Sequence, residues 1–503
     1  MSAKLQKISA GIRAGIWIIV AALTFLVPLA ASSEPLRPIV LIPGVLGTRL
    51  IDSSNGDLLW GSAASLRRLD RLVLSNGPRD PSPDDGVVVD GTIQEVSVFG
   101  VWKTQQYSTL RNHLAALGYT YQEDFFEFPY DWRQSNFTSA KRLAEFVDST
   151  PELKDRDFDI VAHSMGGLVA DIYIKREDAK RQVRRVIFMG TPFKGSTDTL
   201  ATLTDGWGSV QNWMAGGLNT VRRFALSMPS FYELLPTYTN CCRLGEPGQS
   251  TNYDLLTFNG WKKVAWLPDP LNDVPVDQAI RRARELRRLS EEPFPANVTP
   301  FFVAGSGFTT RWQSYIQEGA ESVSAFSSGA GDGTVAEISA TNQNSQLAFV
   351  SLAQHSTLFN DDAARTTLTR ILTGVRTPED RNSVALSAAS PSDVVELHRI
   401  GIEAESSILE EGQSTVVTVE LTANASGAAV ETVPVSLELS DPEGRTIPLE
   451  AIQEVDASAP RPVVRYRSTI GPFESAGAVE VRAAISGLRA TIRDYVVIIE
   501  GPR

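Results

Sequence analysis

Phe158–Lys175 reads FDIVAHSMGGLVADIYIK: an apolar run to Ala162, a turn at His163-Ser164-Met165-Gly166-Gly167, then a second apolar stretch from Leu168 to Lys175. A strand that meets a helix through such a turn is a nucleophile elbow, where strained backbone exposes the serine hydroxyl and small neighbours let the chain close around it. Ala162 stands where the motif usually has glycine and is small enough to fit. Gly166 and Gly167 allow strand and helix to approach closely. Ser164 in an ordinary strand-to-helix loop is the alternative reading.

Outward from the elbow, short apolar runs alternate with amphipathic stretches, the pattern of βαβ units around a largely buried parallel sheet. The expected strands are Ile39–Ile42, Phe158–Ala162, Val186–Met189, Phe301–Ala304 and Leu347–Leu352. Each ends near Gly, Pro or Ser, which places loops at the carboxyl edge, where open α/β sheets carry their ligands. Between Ser196 and Ala296 the strand pattern fades, and Trp207, Trp213, Trp261 and Trp266 sit among Gly, Pro and polar residues. Residues 196–296 therefore read as a cap inserted into a catalytic domain spanning 34–375. Within the cap, Asp277–Ser290 reads as a helix with Ile280, Ala283, Leu286 and Leu289 along one side and Arg281, Arg282, Arg284, Arg287 and Arg288 elsewhere. Its basic face suits either solvent or anionic lipid headgroups. Residues 376–394 are mostly small, polar or charged and read as a linker. Beyond them the period becomes two, as in Val417, Val419 and Leu421 or Val435, Leu437 and Leu439. Residues 395–503 thus read as a small immunoglobulin-like β-sandwich.

A serine hydroxyl needs a general base within hydrogen-bond reach, and the chain holds only four histidines. His113 lies in an amphipathic stretch beside Leu110, Leu114 and Leu117, and His398 lies in the carboxyl-terminal β region. His163 precedes the nucleophile, where its side chain should point away from the hydroxyl. His355 remains, in the loop Gln354-His355-Ser356 after the last expected strand. The base needs a carboxylate to fix its tautomer, and Asp332, in the glycine-rich turn 329–333, gives the order Ser, Asp, His of the α/β-hydrolase fold. An Asp in a surface turn is the alternative, while Asp361 and Asp362 come too late in that order. Donors for a developing oxyanion are the backbone N–H groups of Met165 and of Val45, the latter in the loop Pro43-Gly44-Val45-Leu46-Gly47.

Composition agrees with a packed enzyme: 42% of residues are hydrophobic and 21% charged. The formal net charge of -12, with no long basic run, argues against nucleic acid as a partner. Lys4, Lys7 and Arg13 precede an apolar run from Ile16 to Leu29 and the small residues Ala30 to Ser33. Residues 1–33 therefore read as an export signal to an extracytoplasmic compartment, periplasmic or secreted, with an uncleaved anchor through residues 16–31 as the alternative. The two cysteines, Cys241 and Cys242, are adjacent, so no disulfide framework is available. Two small buried residues or a strained bridge between neighbours both fit. So few histidines disfavour a zinc site, and no metal or organic cofactor is expected.

Several strings in order resemble the lecithin:cholesterol acyltransferase family: PIVLIPGVLGTRL (Pro38–Leu50), LLWG (Leu58–Gly61), FPYDWR (Phe128–Arg133), IVAHSMGGLVA (Ile160–Ala170), MGTPFKGS (Met189–Ser196) and GDGTV (Gly331–Val335). The resemblance covers roughly residues 37 to 375 and is weakest through the cap. It implies Ser164 as nucleophile, Asp332 and His355 as its partners, and the Val45 loop as part of the oxyanion hole. It also implies an acyl-enzyme taken from a phospholipid or related ester and passed to water or to an alcohol. Relatives of lysosomal phospholipase can carry an acidic residue at the position of Val45, which leaves the backbone N–H as the contribution here. The competing readings are a general carboxylesterase or triacylglycerol lipase, and a non-catalytic envelope-binding protein on the same scaffold. The resemblance is silent on the β region, for which an envelope component or a protein is the partner considered.

Overall fold

Ile39–Ile42 and Phe158–His163 are buried at every position, as strands covered on both faces must be. A computed structural model describes residues 36–503 except 83, 95–106, 179, 208, 258–259, 262–272, 320–322, 342–347, 352, 374–396, 405–407, 424–434, 441–444, 457–462, 475–476, 486–490 and 500–503. The expected export signal at residues 1–33, Trp266 and the expected linker at 376–394 lie outside the described residues.

Six strands form one sheet in the order Ala348–Ser351, Thr299–Gly305, Val183–Met189, Phe158–His163, Ile39–Ile42, Phe125–Glu127, and every neighbouring pair is parallel. Parallel pairing carries all the carboxyl ends to one edge, where Pro43, Ser164, Gly190 and Ser306 follow their strands. The sixth strand, Phe125–Glu127, escapes the apolar pattern because it has three residues and ends in an acid. The Glu127 carboxylate stays buried by accepting from Arg111 at 2.8 Å. Thr48–Asp52, Leu58–Trp60 and Val87–Thr92 form a separate small antiparallel sheet.

In the stretch 196–296, Trp261 is buried against Tyr232 and Trp207 meets the edge of Phe224, which also packs on Trp132, so these aromatics join the same core as Ile42 and Phe158 rather than forming a separate one. The side chain of Trp213 is outside the described set. The helix expected at 277–290 runs over Asp273–Glu291 and buries Ile280, Ala283, Leu286 and Leu289. Its arginines divide. Arg287 is buried, donating to the backbone carbonyls of Phe193, Glu233 and Leu235, and Arg282 pairs with Asp80 at 2.8 Å. Arg281, Arg284 and Arg288 are exposed. The short strand Cys242–Leu244 pairs with Phe308–Ile316, which in turn pairs with Val323–Gly331, so this second layer draws on residues beyond 296. Cys241 and Cys242 are free, buried thiols with sulfurs 2.8 Å apart.

Residues after 396 form two largely antiparallel sheets. One runs Leu397–Ala404, Thr415–Ala423, Val463–Ile470, Ile452–Asp456; the other runs Ile408–Glu410, Thr491–Ile499, Gly477–Ile485, Val435–Ser440, Thr446–Leu449. Val417, Val419, Leu421, Leu437, Leu439, Val479 and Val481 form the core between them, and Phe308 joins it from the preceding layer.

The helix Asn136–Ser149 begins on a buried carboxylate. Ser135 Oγ donates to Glu233 Oε1 at 2.6 Å, and the Asn136 backbone and side-chain N–H groups donate to Oε2 at 2.7 and 2.8 Å. Burial pushes the Glu233 carboxyl up from 4.5 to about 7, against the pull of those donors. The native state then holds a proton that the unfolded chain releases, so stability is full below about pH 4.5 and falls as pH rises to about 7. The loss is about 3 kcal/mol at most. Glu233→Gln should flatten this slope in denaturant midpoints measured across that window; an unchanged slope would assign it elsewhere.

Candidate active site

Ser164 occupies the bend between Phe158–His163 and the helix Met165–Ile172 with φ 52° and ψ -128°, a conformation costly for a residue with a Cβ. The bend survives because its surroundings leave no slack. A Cβ on Gly166 would lie 2.5 Å from the Ile42 carbonyl oxygen, so the elbow presses directly on the Pro43 loop. Gly190 closes the far side at φ 62°, where a methyl group would come 3.1 Å from His355 Nδ1.

His355 Nε2 lies 2.8 Å from Ser164 Oγ, and His355 Nδ1 lies 2.7 Å from Asp332 Oδ2. All three residues are buried. Asp332 is fixed independently of the histidine, because its Oδ1 accepts from the N–H groups of Thr334 at 3.0 Å and Val335 at 2.7 Å. The His355 N–H donates to the Asp332 carbonyl at 2.8 Å, tying the two turns together. A carboxylate facing Nδ1 keeps the proton there and leaves the Nε2 lone pair for the serine hydroxyl.

The loop 43–47 and the residue that follows it are held by four hydrogen bonds. Tyr130 donates to the Pro43 carbonyl at 3.0 Å, Trp60 to the Leu46 carbonyl at 2.9 Å and Trp132 to the Thr48 carbonyl at 3.1 Å, while the Gly44 N–H donates to Tyr107 at 2.8 Å. Leu46 is left at φ 62°. The Val45 and Met165 N–H groups have no protein acceptor among the described residues, which leaves both donors for a ligand. Trp60, Tyr130 and Trp132 lie within the LLWG and FPYDWR strings but far from the Pro-Gly turn in sequence, so only the fold shows that they hold it.

His113 and Asp361 have other partners. His113 Nε2 lies 3.0 Å from Thr369 Oγ1, and His398 falls in the strand Leu397–Ala404. Asp361 Oδ2 accepts from Ser351 Oγ at 2.7 Å and from the Ala364 N–H at 2.9 Å, capping the helix Asp362–Thr373. His163 turns away from Ser164 Oγ, as its place in the strand requires, but only as far as the neighbouring His355, whose carbonyl lies 3.1 Å from His163 Nε2. Among the described residues no group of three or more His, Cys, Asp or Glu is arranged to hold a metal ion, and no helix is long and apolar enough to cross a membrane.

Fold and site together define an α/β protein with a Ser–His–Asp hydrogen-bond relay at the carboxyl edge of a parallel sheet. A model of the lecithin:cholesterol acyltransferase family matches residues 83–271 of this chain. The chain is distantly homologous to the lysosomal phospholipase A and acyltransferase of Homo sapiens, 29% identical over 106 residues, which are 20% of this chain and 26% of that protein. The Rattus norvegicus counterpart is 25% identical over 238 residues, 39% of this chain and 56% of its own length. The chain thus spans between about a quarter and just over half of these curated relatives. Among solved structures, the Tle4–Tli4 complex aligns with 68% of this chain and 99% of its own at 16% identity, with a TM-score of 0.43.

Proposed function

We propose that this chain is a lipid-directed serine esterase of the acyltransferase and phospholipase type, built on an α/β-hydrolase domain with an inserted cap. The observation that carries the reading is the 2.8 Å contact between Ser164 Oγ and His355 Nε2 at a strained bend. Ser164 Oγ attacks the ester carbonyl as His355 Nε2 takes its proton, and Asp332 stabilises the imidazolium. The carbonyl oxygen becomes an oxyanion facing the Val45 and Met165 N–H groups, each worth about 3 kcal/mol if well placed. Collapse breaks the ester C–O bond, and the imidazolium gives its proton to the departing alkoxide. Water or an alcohol then attacks the acyl-enzyme as His355 takes its proton, and collapse breaks the Ser164 Oγ–acyl bond while the imidazolium returns the proton to Oγ.

Similarity to the lecithin:cholesterol acyltransferase family over residues 83–271 supports a lipid substrate. The C-terminal strand orders match those of the two sheets of an immunoglobulin-like sandwich, which supports that assignment for residues after 395. The amino-terminal segment supports an extracytoplasmic location, and the β region an envelope or protein partner. Phosphatidylcholine with a labelled acyl chain, supplied with and without a long-chain alcohol, tests the function. Labelled fatty acid is expected alone and a labelled ester in addition when the alcohol is present. Turnover of short-chain esters with none of phosphatidylcholine would move the chain to the general carboxylesterases.

A further inference from the structure

Beneath the relay, two buried side chains join the oxyanion loop to the base through three hydrogen bonds. The Gly44 N–H donates to Tyr107 Oη at 2.8 Å, Tyr107 Oη lies 3.1 Å from His163 Nδ1, and His163 Nε2 lies 3.1 Å from the backbone carbonyl of His355. Tyr107 and His163 are fully buried. Phe359, from the turn that begins at His355, closes over both rings at centroid distances of 5.7 and 5.2 Å.

Proton positions follow from the partners. A carbonyl oxygen only accepts, so His163 Nε2 carries the proton that reaches His355. Burial holds His163 well below the usual imidazole range, keeping it neutral, so Nδ1 is the acceptor and the Tyr107 O–H donates to it. Tyr107 Oη in turn accepts from Gly44. Each member therefore points the same way, from loop to base. The chain crosses from the turn after Ile39–Ile42 to the turn after Ala348–Ser351, which no backbone pairing joins directly in the sheet.

We infer that Tyr107 and His163 are positioning residues that form a hydrogen-bonded strut, setting the Gly44–Val45 backbone and the His355 backbone at one fixed separation. The inference rests on the proposed esterase reading. The strut touches no substrate; it acts by holding an oxyanion donor and the general base in register with Ser164, where a displacement of about 1 Å costs roughly a hundredfold in rate.

Tyr107→Phe, His163→Leu and His163→Gln test it. The Phe variant keeps the ring packing, and the Gln amide N–H can reach the carbonyl that Nε2 reaches. With a phospholipid substrate, Tyr107→Phe and His163→Leu should lower kcat roughly ten- to a hundredfold with KM within about threefold, and His163→Gln should regain most of the loss. A folded Tyr107→Phe or His163→Leu with wild-type kcat, or a Gln variant as impaired as Leu, overturns the strut. Nitrogen-15 spectra of the four histidines give a readout that does not depend on turnover. The His163 signals, assigned by their absence from His163→Gln, should report a neutral Nε2–H tautomer whose Nδ1 shift moves in Tyr107→Phe. An Nδ1–H tautomer or an imidazolium overturns the strut even where a variant fails to fold. A wild-type protein that neither turns over esters nor reacts with a fluorophosphonate defeats the esterase reading instead, and the spectra still decide whether the strut exists.

Discussion

Ser164→Ala is expected to lower acyl release by roughly 10^4- to 10^6-fold while leaving the protein folded. The size follows from what disappears. Without the hydroxyl there is no acyl-enzyme, and only the two backbone donors and substrate binding remain to assist direct attack by water. Folding should survive, because alanine keeps the Cβ, and the close approaches around the bend, Gly166 to the Ile42 and Pro43 carbonyls and Gly190 to Leu358 and His355, are made by other residues. Removing Oγ leaves His355 Nε2 without its acceptor role, a smaller perturbation than removing the ring. Adding His355→Ala to Ser164→Ala should therefore cost little more, since residues that act as a unit are not additive. Kinetics with the labelled phospholipid, beside melting curves, check both statements. A folded Ser164→Ala that retains more than a few per cent of the rate would remove Ser164 from the chemistry.

Asp332→Asn should cost about 10^4-fold in kcat, and the cause lies in the wiring of the carboxylate. Oδ1 accepts from two N–H groups, Thr334 and Val335, so the asparagine carbonyl must take that position. Its NH2 then faces His355 Nδ1, which can only accept. The imidazole is driven into the Nε2–H tautomer, pointing a proton at Ser164 Oγ instead of a lone pair. Because the side chain keeps its shape and its backbone bonds, stability should change little. Asp332→Ala frees the histidine to choose its tautomer and should be the less impaired variant on the tautomer argument alone. Measured kcat for both, with nitrogen-15 shifts of His355, separates tautomer from charge; an Asn variant still in the Nδ1–H form would contradict this cause.

Much of this site was legible because its chemistry is written in residue type and order. A serine with small residues two positions to either side at a strand end, an Asp in a Gly-Asp-Gly turn and a histidine after the last strand can be named without coordinates, and so can the strands that position them. What escaped depends on partners rather than on pattern. Phe125–Glu127 is too short to show a period, and its acid is neutralised by Arg111, ten residues or more upstream. The hairpin Phe308–Gly331 is rich in Ser and Gly, with bulges between Arg311 and Gln313 and between Tyr315 and Ile316 that interrupt its alternation. The basic face of Asp273–Glu291 could be read as a helix but not sorted, since only packing shows that Arg287 is consumed by three carbonyls while Arg281, Arg284 and Arg288 meet solvent. The strand position of His163 alone aims it away from the hydroxyl, yet nothing local says that its partner is a carbonyl 192 residues further on.

The most direct test is to expose the native protein to phosphatidylcholine labelled in its acyl chain, quench with acid within the first turnovers and map the peptides by mass spectrometry. An acyl ester on Ser164, absent from Ser164→Ala and accumulating in preparations short of acceptor, is the predicted result. Acyl release that proceeds without a label on Ser164, or a label carried by another side chain, would contradict the mechanism.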